Sequence, residues 1–187
     1  MNKMDSQRKK YWLTVLFCTL SIYATIPIAR PIGTFLRKQG VLNLLVNLST
    51  SAFFVIFLIF LTKKHIRNFG TYFLAVLWIF VYYAALGTIH IPEEKVHFIE
   101  YSALSLLIFR ALRLDHPEGK SYFFTLILTG FLGWIDEGIQ YLTPGRYYDL
   151  RDVAFNFCGG VLGLFILLIV NRETHRNKST GENPKNP

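Results

Sequence analysis

Six apolar runs of about 20 residues each dominate this chain of 187 residues. They lie at Tyr11–Ala29, Val41–Thr62, Thr71–Ile89, Val96–Leu112, Tyr122–Leu142 and Val153–Val170. A helix rises 1.5 Å per residue, so about 20 residues cross the roughly 30 Å of hydrocarbon in a bilayer. A soluble domain would instead interleave polar and apolar residues along each element. The period-2 alternation of barrel strands is missing too, which leaves α-helices as the spanning element. The expected fold is all-α: a polytopic membrane bundle of six transmembrane helices. With 52% hydrophobic residues, no polar stretch is long enough to build a separate soluble core.

The net charge of +8 invites a nucleic-acid reading, but Lys and Arg fall in the gaps between apolar runs, as topology signals do. No basic helix interleaved with aromatics offers a nucleic-acid surface, so nucleic acid is excluded as a partner. With the N-terminus in the cytoplasm, 14 basic residues fall inside and 6 outside, which predicts both termini cytoplasmic. The first outside loop, with Arg30, Arg37 and Lys38, fits least well. The first apolar run is longer than a signal-peptide core of about 7–15 residues and lacks a clear small-residue cleavage site, so it reads as a retained helix. Cys18 and Cys158 both lie in apolar runs and read as packing residues.

This orientation brings the loops His90–Lys95 and Thr143–Asp152 to the extracytoplasmic side, where most of the membrane-embedded polar residues gather. The fourth helix opens with Glu94, Lys95, His97, Glu100 and Tyr101, and the fifth closes with Asp136, Glu137 and Gln140. The sixth opens with Asp152 and Asn156. His97, Glu100 and Tyr101 share one helical face at i, i+3, i+4. Asn156, Gly159, Gly160 and Gly163 line one side of the sixth helix, and Gly159 with Gly163 forms a G-x-x-x-G pair that admits a neighbouring helix. An acidic residue at a helix centre costs about 2.5–3.5 kcal/mol on insertion scales. Adjacent Asp136 and Glu137 therefore require a polar cavity, or an ion pair with Arg146 or Arg151. Thr143-Pro144-Gly145-Arg146 reads as a tight turn that aims Arg146 at the cluster. A guanidinium there suits a phosphate or carboxylate, or anchors headgroups beside Tyr147 and Tyr148.

Two segments carry a resemblance. Lys95, His97, Phe98 and Tyr101 form a K-x-H-F-x-x-Y element, followed by Glu137, Gln140, Pro144-Gly145-Arg146, Asp149, Asp152, Asn156, Gly160 and Gly163. This pattern resembles the VanZ-like family of small bacterial membrane proteins, named for a protein associated with teicoplanin resistance. On these motifs the resemblance covers residues 71–170, with residues 1–70 as a basic segment plus two added helices and 171–187 as a polar, disordered tail. It implies a bacterial plasma-membrane protein with a cell-envelope role and supplies no reaction.

The expected function is an extracytoplasmic pocket that acts on or binds a lipid or glycopeptide-related envelope component. His97, Glu137, Arg146 and Asp152 are the candidate catalytic residues. Lys95, Glu100, Tyr101, Asp136, Gln140, Asp149 and Asn156 are candidate ligand contacts. A divalent metal on His97, Glu100, Glu137 and Asp152 is a variant that no spacing fixes, and no motif points to a cofactor. The alternatives are a non-catalytic binding protein and an ion or proton transporter. Transport is disfavoured because the charges gather at one end and do not continue across the bilayer.

Overall fold

The computed structural model describes residues 3–63, 68–89, 91–144 and 146–179. His90 and Gly145 of the loop motifs, Lys64 and Arg67 of the basic count, and residues 180–187 of the tail lie outside the described residues. Among the described residues there are six helices and no strands: α1 (Lys3–Lys38), α2 (Leu42–Lys63), α3 (Phe69–Thr88), α4 (Pro92–Leu112), α5 (Glu118–Tyr141) and α6 (Leu150–Ser179). The fold is all-α, as expected. Four helices contain a stretch long and apolar enough to cross a membrane, at Met4–Ala29, Leu42–Lys63, Phe69–Thr88 and Leu150–Arg172. The other two, α4 and α5, are less apolar because they carry the polar residues just described.

Hydropathy marks where a helix is greasy, not where its backbone stops. The first run ends at Ala29, yet α1 continues through Pro31 to Lys38. At 36 residues it is about 54 Å long. It ends in a turn at Gly40, whose φ of 71° belongs to the left-handed region that glycine enters without steric cost. The amides of Gly40 and Val41 return to the carbonyls of Arg37 and Leu36 at 2.9 and 3.1 Å, closing a Schellman-type cap. The tail is likewise corrected: residues 171–179 continue α6 as regular helix.

α4 runs through the centre, against α1, α5 and α6. Its contact with α1 is apolar: Val15 and Ile22 pack with Tyr101, Leu104 and Ile108. Arg8 of α1 adds an ion pair to Asp115, in the turn between α4 and α5. α2 and α3 are held by large rings, with Phe54 edge-on to Trp78 and Tyr82 at centroid distances of 5.3 and 5.2 Å. Tyr82 continues the stack to Phe98 of α4 at 5.2 Å.

Against α6, α4 packs backbone to backbone. A methyl on Gly159 would overlap the Phe98 carbonyl oxygen, and one on Gly163 would overlap that of Ser102. Gly160, between them, faces α5, where a methyl would come within 2.6 Å of Thr129 Cγ2. Small residues thus set both spacings around the polar end, since close van der Waals approach replaces the hydrophobic effect inside a bilayer. Ser102 completes the join by donating to the Gly159 carbonyl at 2.8 Å, and Trp78 donates to that of Leu162 at 2.9 Å.

Candidate functional site

One face of α5 is polar along nearly its whole length. Ser121, Thr125, Thr129, Gly133, Asp136, Glu137 and Gln140 are all buried, and their spacing of three or four residues keeps them on one stripe. The inner hydroxyls are spent locally: Thr125 donates to the Ser121 carbonyl at 2.7 Å and Ser121 to that of Pro117 at 3.1 Å. The stripe ends in the two adjacent carboxylates, which α4 and α6 enclose.

Asp136 is 0% exposed and Glu137 1%. From α4, His97 Nδ1 stands 3.6 Å from Asp136 Oδ2 and 3.3 Å from Glu100 Oε2. From α6, the buried Asn156 amide donates to Asp136 Oδ2 at 3.4 Å. A methyl on Gly133 would come within 2.8 Å of Asn156 Cβ, so the glycine one turn below Asp136 is what lets that amide reach it. Glu137 turns the other way, and its Oε1 accepts the Asp149 backbone amide at 2.8 Å. Neither carboxylate has the arginine pair that sequence reasoning offered. Arg151 binds Asp149 instead, with Nε 2.9 Å from Oδ2. No carboxylate among the described residues lies within ion-pair distance of Arg146, which is half-buried. Its charge still acts on His97, Glu137 and Asp152.

Glu94, His97, Gln140, Asp152, Phe155 and Asn156 line a cleft over this cluster. Its free volume is about 10 Å³, close to what one water molecule needs. Several buried acceptors around it have no hydrogen-bond partner: Asp136 Oδ1, Glu137 Oε2, Asn156 Oδ1 and Glu100 Oε2. Among the described residues, no group of three or more His, Cys, Asp or Glu side chains is arranged to hold a metal ion. The four-ligand metal variant is therefore not assembled.

The predicted residues thus fall into distinct places. His97, Glu100, Asp136, Asn156 and Gln140 converge, with Asp152 on the cleft wall. Lys95 is half-buried near the start of α4. Tyr101 is fully buried and points inward, donating to the Leu132 carbonyl at 3.1 Å. Sequence reasoning missed Tyr23 of α1, whose hydroxyl donates to the same carbonyl at 2.8 Å. A lone tyrosine in an apolar run gives no signal of that role. The Ser121, Thr125, Thr129 stripe did leave one, in its i, i+4 spacing.

Asp149 serves the backbone. Its carboxylate accepts the Arg151 amide at 2.8 Å, capping α6, while its own amide holds Glu137. The Arg151 side-chain hydrogen bond keeps the Asp149 carboxyl below the usual carboxylate range. The loop contribution is thus complete above the ordinary value of 3.8 and is lost as pH falls through the lower folded value. Asp149→Ala should destabilise the protein by about 1 kcal/mol, as loss of a cap does. Asp149→Asn should retain the cap and lose the acid sensitivity, both read from thermal midpoints at pH 7 and pH 3.

Four helices long and apolar enough to cross a membrane, with an enclosed polar cluster at one end of α4, α5 and α6, fit a helical membrane protein. The chain belongs to the VanZ/LLP1 family, whose model matches residues 6–171. The match takes in α1 and α2 as well as α3–α6, and so reaches beyond the motif-bearing residues 71–170. No curated protein and no solved structure matches the chain.

Proposed function

We propose that the chain crosses the bacterial plasma membrane six times, with both termini cytoplasmic, and that the cluster on α4–α6 recognises the phosphate-bearing headgroup of a cell-envelope lipid at the outer face. The observation that carries this reading is Arg146. Among the described residues it has no ion pair, and it lies at the edge of the buried acidic cluster, near His97, Glu137 and Asp152. Arginine left free beside a cleft suits a phosphate, which it binds in a two-pronged fork. The positive-inside bias supports the orientation, and exposed lipid-compatible residues such as Phe73, Phe80 and Phe131 support the spanning arrangement.

A second reading, catalysis at the same headgroup, is favoured by His97. An imidazole beside two carboxylates is the arrangement of an oriented general base.

The binding reading is tested on purified protein in nanodiscs of mixed phospholipids, counting retained lipid by mass spectrometry. Arg146→Gln should lower retention about tenfold or more, as loss of a charged hydrogen bond does. Unchanged retention would overturn it. The orientation is tested by labelling Tyr147→Cys and Leu114→Cys in a chain with Cys18 and Cys158 replaced. Position 147 should label in intact cells and position 114 only after permeabilisation; the reverse pattern would invert the topology.

A further inference from the structure

Four buried acceptor atoms of the cluster have no hydrogen-bond donor. Asp136 Oδ1, Glu137 Oε2, Asn156 Oδ1 and Glu100 Oε2 all lack a hydrogen-bond partner. Asp136, Glu137 and Asn156 are each no more than 1% exposed. An acceptor in that position loses its water without replacement, a loss that weighs more on a carboxylate than on a neutral group. The surroundings do little to relieve it. Among the described residues, His97 contacts Asp136 and Glu100, the Asn156 amide donates to Asp136, and Gln140 and Tyr101 stand beside it, yet Asp136 Oδ1 is left without a hydrogen bond. Glu94 and Asp152 add negative charge on the cleft wall. The shortage is of donors and of positive charge.

The cleft also limits size. Its free volume of about 10 Å³ accepts one water-sized group. An –NH3⁺ group is that size and brings three donors and a full positive charge. A trimethylammonium brings the charge without any donor and is several times larger. A hydroxyl brings one donor and no charge. Asn156, whose unpartnered Oδ1 belongs to a cleft-lining amide, is an uncharged acceptor that points to a donor and not merely to a counter-ion.

We infer that this cleft binds a primary ammonium group, so that the ligand is an aminoalkyl phosphate: its amine enters beside Asn156, over the Asp136 carboxylate, and its phosphate meets Arg146. This rests on the headgroup reading above and adds the second half of the ligand. The occupant is thus a zwitterionic lipid headgroup with N–H donors.

The test uses the full chain in nanodiscs containing equal amounts of phosphatidylethanolamine, its mono-, di- and trimethylated forms, and phosphatidylglycerol, with retained lipid counted by mass spectrometry. Wild-type protein should keep the unmethylated lipid about tenfold over the trimethylated one, with stepwise loss between them, and about tenfold over phosphatidylglycerol. Asp136→Asn should erase the methylation series while Arg146-dependent retention persists. Because the methylation series is read on wild-type protein, it holds even if Asp136→Asn does not fold. Equal retention across the series, or phosphatidylglycerol held as well as the amine, overturns the ammonium site alone. Retention indifferent to Arg146→Gln overturns the headgroup reading with it.

Discussion

Gly163→Ala is expected to lower the stability of the folded protein by about 2–3 kcal/mol, the upper part of the range for overpacking a core. The added methyl would overlap the Ser102 carbonyl and come within 2.6 Å of Ser105 Oγ and 2.8 Å of Ser102 Cα. Two of these three neighbours are backbone atoms of α4, which cannot swing aside as a side-chain tip can. Relief has to come from separating α4 and α6, and that separation would draw Asn156 away from Asp136. Gly138→Ala is the matched control, because nothing lies within 4 Å of a methyl there. It should be neutral or gain up to about 1 kcal/mol from the better helix propensity of alanine. Thermal unfolding of both variants in detergent decides the matter. Equal losses at both positions would mean that close approach of α4 and α6 is not what the glycines provide.

The second large effect concerns His97 and Glu137. Under the cell-envelope role proposed above, His97→Gln and Glu137→Gln should each abolish the phenotype of that role while the protein still inserts. Both substitutions keep polarity and approximate size, so neither leaves a large cavity. Glu137→Gln preserves an oxygen for the Asp149 amide, which keeps the loop tethered. The size of the loss separates the two readings of the site. Removal of a general base costs about 10²–10⁴ in rate with lipid retention intact, whereas in a binding site retention falls in proportion to the phenotype. If His97→Gln, Glu137→Gln and Arg146→Gln all left the phenotype unchanged, the outer pocket would have no functional part.

The helical class and the main members of the cluster were legible because each rests on a strong local signal. Blocks of about 20 apolar residues admit few other folds. Asp136 next to Glu137 in such a block demands burial of both, wherever they point. The G-x-x-x-G spacing of Gly159 and Gly163 foretold a close helix, and the structure adds that Gly160 serves α5 while its neighbours serve α4. What stayed hidden depends on tertiary geometry. Nothing local tells whether Arg151 will pair with Asp136, with Glu137 or, as found, with Asp149 two residues away. The tether between Glu137 and the Asp149 amide involves a backbone group, on which the sequence is silent. α1 was read as one of two added helices outside the motif-bearing residues, yet Tyr23 meets Tyr101 over a single carbonyl of α5, one turn below Asp136. Helix ends were also misplaced at α1 and α6, because hydropathy ends at the bilayer and hydrogen-bonded helix does not.

The order of the helices along the chain has a consequence for biogenesis. α4 and α5 are joined by the short segment 113–117; under the six-span arrangement proposed above they enter the membrane as a hairpin, within which His97 can reach Asp136. Asn156, the Asp149 amide and the glycine ridge all arrive afterwards, with the last helix. Until then Asp136 and Glu137 are screened on one side only. Ribosomal release of α6 is therefore the moment at which two costly acids become sheltered, and a chain cut short before residue 150 would present them to lipid and to quality-control proteases.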